Sequence, residues 1–441
     1  MSSLHDVPFT QYALGNGLTV ILSEEHSSPV AAVMVMYHAG SKNESPGRTG
    51  LAHLFEHLMF KGSLHVGDGE HFRLLQENGA SVNATTSEDR TNYFEAVPSN
   101  YLELALYLES DRMGFLPGAL DQPKLDNQRD VVRNERRQSY DNVPYGTAYE
   151  KSARAVYGPA HPYSWPVIGS MEDLGAATLD DALSFFTRYY APANACLVVA
   201  GDFGRAGAEA WIEKYFGTIP PGPRVPRLPL RQPLLAGDIA LVHEESVQLP
   251  RIFLTWPASP RGTRGEALMD LFTTILTSGK SSRLYRPLVF KEQIAQSVNA
   301  WTDGKEIAGT VTIEATARPG ISLGPIEERI QEVLDELLTN GVTSREIESA
   351  FNGKEAQLAA QRTTTLGVAG GLATAFTLSG DTSAFNRELE RFSGVTPVEL
   401  IAEARRVFAG PRVALNIVPG GMRELASTAG RSAPRARSTA P

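Results

Sequence analysis

The chain has 441 residues, 42% of them hydrophobic and 21% charged, with a net charge of -9 at neutral pH. This is the composition of a globular protein with enough chain for two or more domains, and the acidic balance speaks against the basic face that general nucleic-acid binding needs. The single cysteine, Cys196, excludes a disulfide within the chain, and no apolar run approaches the ~18 residues of a membrane span.

The first half reads as strands followed by helices. "GLTVILSEE" and "AAVMVMYHAG" are β-rich runs of strand length. Residues 48–61 have helical spacing, with Leu51, Leu54, Phe55, Leu58 and Met59 on one apolar face. A short helix, "GEHFRLLQENG", ends at Gly79, and the strands "ASVNATT" and "TNYFEAV" follow. Three helical stretches come next, "NYLELALYLESDRMGF", "DQPKLDNQRDVVRNERRQSY" and "YGTAYEKSARAVYG". The half closes with the helix "TLDDALSFFTRYY", the strand "ACLVVAGD" and the helix "RAGAEAWIEKYFG". In that strand Cys196 reads as a buried small hydrophobe.

Six prolines between Thr218 and Gly237 exclude a helix or a central strand there and mark a linker. Beyond it the order repeats. Strands "DIALVHEE" and "RIFLTWPA" lead into the helix "GEALMDLFTTILTSG", then "IAQSVNAWTDG" and "AGTVTIEATA". Long helices, "LGPIEERIQEVLDELLTNG" and "SREIESAFNGKEAQLAAQR", precede the closing helix "TPVELIAEARRVF" and strand "RVALNIVPG". Two halves with matching order suggest a duplicated α+β unit. The expected fold is therefore α+β, with two homologous domains, each an antiparallel-rich sheet flanked by helices on one side. The expected boundaries are 1–220, a proline-rich linker at 221–237, a second domain at 238–425, and a small, polar, disordered tail at 426–441. The N-terminus has no basic segment followed by an apolar one, so the expected compartment is the cytoplasm, or the periplasm if a leader was removed.

Chemistry concentrates in "GLAHLFEHLMFKGS". His53 and His57 are four residues apart, so on a helix both imidazoles can reach one ion, with Glu56 bordering the same spot. Imidazole and carboxylate ligands suit zinc, and a neighbouring carboxylate can take a proton from an activated water. The pair could instead be a polar helix face, but Leu54, Phe55 and Leu58 embed it in apolar surroundings, where polar groups need partners. A third ligand is required. The best helical candidate is Glu135 in "NQRDVVRNERRQSYDN", which spacing alone does not separate from a solvated glutamate.

The inverted His-x-x-Glu-His order marks the inverzincins. Along nearly its whole length the chain resembles the pitrilysin/insulinase-type zinc metallopeptidases. The resemblance is carried by "LGNGLTVILSEE", "GLAHLFEHLMFKGS", "NATTSEDRTNYFEAV", "QRDVVRNERRQ", "YAPANACLVVAGDF" and "SSRLYRPLVFKEQIAQSV". The length is similar to that of the short, two-domain branch related to mitochondrial processing peptidase, in which two such chains form one working chamber. The resemblance implies that His53, His57 and Glu135 hold Zn2+ and that Glu56 is the general base. It implies that Asn83 and Ala84, in "NATT", lie on an edge strand that takes up extended peptide by β-augmentation. It also places Phe60 beside the metal pocket, although core packing is an equal reading for that residue.

Two positions depart from the family pattern. Gln128 stands two helical turns before Glu135, where the family often has a glutamate. In the second half, Val289 and Gln296 stand where active members usually carry an arginine and a tyrosine that bind substrate and the developing oxyanion. Arg283 and Tyr285, in "SSRLYRP", fit a different part of the pattern. Oxyanion donors are worth several kcal/mol, so the expectation is a zinc endopeptidase subunit for peptides or unfolded segments. A related subunit without the zinc motif would supply the missing pair, making a heterodimer, with a homodimer as the alternative. The rival expectation is a non-catalytic core or scaffold subunit, or a peptide-binding subunit, of a larger assembly.

Overall fold

Strands buried on both faces at their centres build two sheets in a computed structural model that describes residues 5–428. The first contains β1 (Thr10–Ala13), β2 (Thr19–Glu24), β3 (Val30–Tyr37), β4 (Ser81–Thr86), β5 (Thr91–Pro98) and β6 (Ala195–Gly201). Its order is β1-β2-β6-β3-β5-β4. The second contains β7 (Ile239–Glu245), β8 (Arg251–Ala258), β9 (Ala295–Gly304), β10 (Gly309–Ala317) and β11 (Val413–Pro419), in the order β7-β11-β8-β10-β9. Each sheet has one parallel pair, β2 with β6 and β7 with β11, and is otherwise antiparallel. Exchanging β2, β6, β3, β5 and β4 for β7, β11, β8, β10 and β9 turns one order into the other. Beyond the extra β1, the two sheets are the same construction, as the repeated order of elements suggests.

The expected boundaries need correction in two places. The first unit comprises the chain up to Arg137, Trp165–Leu228 and Glu355–Glu390, and the second comprises Gln138–Ser164, Pro229–Lys354 and the chain from Arg391. The helix Ala148–Tyr157, expected in the first domain, buries Ala148 with Phe253, Leu415 and Ile417 of the second sheet. The helix Thr365–Ser379 belongs to the first unit, where Ala369, Leu372 and Ala373 pack on Ala32, Met34, Met36, Cys196, Val198 and Ala200. A proline-rich linker fixes where the chain crosses, but apolar faces decide which sheet a helix covers.

The alternate residues of β3, Ala31, Val33, Val35 and Tyr37, are also fully buried, on the face that carries the helix Leu102–Phe115. The first sheet thus has helices on both faces, one layer more than the one-sided flank expected. Cys196 is sealed in this layer, its Sγ 3.4 Å from the Thr377 hydroxyl, and burial pushes its thiol up to about 11. The proline-rich segment is extended and exposed, and Arg227 ties its start to the Thr377 carbonyl at 2.6 Å. Ser427, expected in a disordered tail, is held in the fold, its N–H donating to Asn416 Oδ1 at 2.9 Å. The rest of the expected tail, 429–441, lies outside the described residues.

Candidate metal centre

The helix expected over 48–61 is shorter, Leu51–Leu58, because Gly50 enters it at φ 88°, a left-handed conformation that favours glycine. Glycine cannot cap the helix with a side chain, and Glu44 supplies the acceptor. Its two carboxylate oxygens take the N–H groups of Gly50 at 2.9 Å and Ala52 at 2.8 Å, satisfying donors that a helix start leaves free. Burial pushes the Glu44 carboxyl up to about 8, against the pull of those donors. Asp173 holds the preceding residue, accepting from the Thr49 N–H at 2.9 Å and the Thr49 hydroxyl at 2.6 Å.

This start is also tied to the helix Gln122–Arg136. Gly169 approaches so closely that a Cβ on it would lie 2.5 Å from Gly50 Cα. Arg136, the residue after Glu135, donates to the Gly169 carbonyl at 2.6 Å. The helix bearing both histidines and the helix bearing Glu135 are therefore registered through one loop.

His53, His57 and Glu135 converge. Glu135 Oε1 is 3.7 Å from His53 Nε2, and Oε2 is 3.4 Å from His57 Nε2. One ligand atom from each of the three lies within 4.8 Å of the others. These separations exceed ordinary hydrogen bonds. They approach the ~3.4 Å edge of a tetrahedron with metal–ligand bonds of about 2.1 Å, so the donor set fits a shared cation. Burial, reinforced by His57 and opposed by Glu135, holds His53 down to about 4, which keeps the imidazole neutral, as a ligand must be. The contact with His57 chiefly holds Glu135 below the usual carboxylate range, against burial.

Glu56 lies beside this group without joining it. The Thr86 hydroxyl, at the end of β4, donates to Glu56 Oε2. Burial raises the Glu56 carboxyl, and the Thr86 bond opposes it. Thr86 thereby links Glu56 to the sheet edge. Asn83 and Ala84 lie on β4, which is that edge. The Asn83 side chain folds over and accepts the Ala84 N–H at 2.8 Å, covering one donor that an added strand would use.

Phe60 sits in an aromatic stack. Its ring is 4.5 Å from Phe72 and 5.8 Å from Tyr93, with the Arg112 guanidinium 4.9 Å above it. Gln128 is buried and donates to Asn127 at 2.7 Å. In the second unit Val289 is buried, while Gln296 is exposed on β9. Arg283 is engaged by Glu346, at 2.6 and 3.0 Å.

A second group, His71, Glu95 and Glu109, has ligand atoms equally close and is wholly buried. Arg112 donates to both Glu109 oxygens, from Nε at 3.0 Å and from Nη2. Glu109 is thus already paired with a cation, and burial pushes the Glu95 carboxyl well up and the His71 imidazole well down, so both favour their neutral forms in the core.

Sequence patterns missed Glu44, Thr86, Asp173 and Arg136. Thr86, Asp173 and Arg136 act through partners 30 or more residues away, Glu44 through backbone six and eight residues on, and no periodicity marks either. Glu44 and Arg136 are polar residues that become buried.

Two family models match the chain, "Insulinase (Peptidase family M16)" over residues 19–153 and "Peptidase M16 inactive domain" over 176–354. A protein named zinc protease PqqE, from Helicobacter pylori, is 29% identical over 361 residues, covering 81% of each chain. An uncharacterised zinc protease of Streptomyces coelicolor is 27% identical over 418 residues, covering 92% of this chain and 88% of the relative. The crystal structure of a protease from Helicobacter pylori superposes with a TM-score of 0.85 at 26% identity, covering 93% of this chain and all of the other. An M16-like peptidase from Alicyclobacillus acidocaldarius shares the fold, with a TM-score of 0.82 at 21% identity.

Proposed function

We propose, from the premise that the chain belongs to the insulinase family of peptidases, M16, that it is the zinc-bearing subunit of an endopeptidase for peptides or unfolded segments. The observation that carries this reading is the convergence of His53, His57 and Glu135 around one point, with Glu56 beside it but bonded elsewhere. The first three would hold the zinc. When bound, zinc supplies Lewis acidity and lowers the pKa of water towards neutrality. Glu56 takes the proton of the water that attacks the scissile carbonyl carbon, and returns it to the amine nitrogen as the carbon–nitrogen bond breaks. Thr86 orients that carboxylate. The edge strand β4 would align the peptide backbone, the Asn83 amide swinging off the Ala84 N–H as the substrate strand arrives.

The oxyanion half of the site is missing from this chain. Val289 is apolar and buried, and Gln296 lacks a phenol. We infer that a related subunit without the zinc motif supplies the arginine and tyrosine in a shared chamber. The test is co-purification from the native source, then peptide cleavage by this chain alone, by the candidate partner alone, and by the mixture. A mixture about 100-fold faster than either chain is expected, matching the loss of one oxyanion donor. Equal rates for the chain alone and every mixture would sink the heterodimer.

A further inference from the structure

The second unit contains a cavity of about 260 Å³ between the helix Ala148–Tyr157 and the strands β8, β9 and β10. A void of ~150 Å³ already takes a benzene ring, so this one has room for a substituted ring. Its construction departs from its counterpart. Under the helix Thr365–Ser379, the first sheet is closed by methionine, alanine, valine and leucine side chains. Under the helix Ala148–Tyr157, the sheet presents the hydroxyls of Thr255, Thr310 and Thr312, and all three residues are buried.

Two further features show a built site. Ser152 lines the cavity from the helix, is 8% exposed, and its hydroxyl, turned away from solvent, has no hydrogen-bond partner. A serine in a helix can satisfy itself on the carbonyl four residues back, and this one does not. Tyr145, on the cavity wall, takes a strained φ of 64°. It is fixed by its hydroxyl donating to the Leu249 carbonyl at 2.7 Å and by the Arg251 guanidinium 3.8 Å from its ring. Strain persists where the surroundings over-determine it, and it clusters at binding sites.

The lining also defines the ligand. Tyr149 and Trp301 stand at the rim, 44% and 37% exposed, and Phe253 backs the interior. The charged groups cancel. Arg251 pairs with Glu314 at 3.4 Å, and Asp303 receives Lys305 and, at 3.2 Å, the Tyr149 hydroxyl. An ionic ligand would meet no unpaired countercharge. A flat, neutral ring with one hydroxyl would stack on the aromatic walls and, once the Ser152 side chain rotates about χ1 to turn its hydroxyl into the cavity, give Ser152 its missing partner.

We propose that this cavity binds the phenol ring of a tyrosine side chain in a peptide, as a docking site separate from the zinc centre. The identity of the occupant rests on the peptide-substrate reading; the cavity chemistry does not. The test uses full-length Glu56→Gln protein, so that bound peptide persists, with and without a zinc chelator. Ten-residue peptides with a single tyrosine, or with phenylalanine in its place, are titrated by ligand-observed NMR. The tyrosine peptide should bind up to about tenfold tighter, the value of one hydrogen bond to a buried group, and chelation should leave this difference intact. Ser152→Ala should erase the preference with the fold unchanged by circular dichroism, and Trp301→Ala, at the rim, should weaken both peptides several-fold. Equal binding of the two peptides, no effect of either variant, or dependence on zinc overturns the proposal. Binding of p-cresol without the tyrosine peptide assigns the cavity to a free phenol and overturns the peptide assignment. Failure of hydrolysis by the native protein with any partner would count against the peptidase reading and leave this result standing.

Discussion

The two sheets share one strand order and differ in what their second face holds. In the first unit the helix Thr365–Ser379 seals an apolar layer against β3 and β6. In the second the helix Ala148–Tyr157 covers Phe253, Leu415 and Ile417 and leaves a threonine floor beneath a cavity. The chemistry divides in the same direction. Among the described residues, both groups with the donors and spacing for a cation lie in the first unit. The strand order needs one alternation of apolar residues per strand, satisfied in β10 by Val311, Ile313 and Ala315, all fully buried. The opposite alternation is then free to become core in one copy and pocket in the other.

The sharpest break between the units should be catalytic. Glu56→Gln should lower peptide hydrolysis by about 10³-fold, within the span of general-base effects, while metal analysis still finds zinc on the protein. Survival of the rate would remove Glu56 from its role. His57→Ala should go further and cost the zinc itself, since two ligands hold it poorly. Retention of stoichiometric zinc in that variant would mean that His57 is not part of the set.

The next comparison is of stability. Leu372→Ala, in the sealed layer of the first unit, should cost about 3 kcal/mol by chemical denaturation. The threonine floor should respond differently. Thr255 and Thr312 share a hydrogen bond at 3.1 Å, so Thr312→Val alone strands the Thr255 hydroxyl and should cost about 1 kcal/mol, whereas the double change to valine should be nearly neutral. A large loss in the double variant would show that the floor is structural.

The repeated order of strands and helices was legible in the sequence, as was the His53–His57 spacing of one helical turn. Glu135 was legible as a helical residue, but its approach to His57 was not, since a loop through Gly169 sets it. The helix Thr365–Ser379 was invisible for a physical reason. Its apolar and small residues run all round, and a helix without a polar stripe shows no amphipathic period. Gly371 sits there against the Phe385 ring, where a Cβ would come within 2.1 Å, so a residue that weakens helix propensity is required by packing. The helix Ala148–Tyr157 was legible as a helix and misassigned to its unit, because its partners on β8 and β11 lie about a hundred residues or more further along the chain. Phe60 was open between pocket and core, and only its stack with Phe72 and Arg112 shows its neighbours.

The smallest expected effect concerns Arg283, six residues before Val289. Burial alone would raise the Glu346 carboxyl, but Arg283 together with the Thr343 N–H and hydroxyl outweighs it and pulls the group down to about 2. A carboxyl depressed in the fold stabilises the protein above its unfolded value, near 4.3, and that stabilisation is lost as pH falls from there towards 2. Partial exposure of both partners screens the pair, so the acid-dependent share should be about 1 kcal/mol. Glu346→Gln should therefore lower stability at pH 7 and flatten the acid limb between pH 5 and about 2, with peptide hydrolysis at pH 7 unchanged where the variant remains folded. If instead hydrolysis falls while stability holds, Arg283 serves the reaction, and the second unit is less incomplete than Val289 and Gln296 make it.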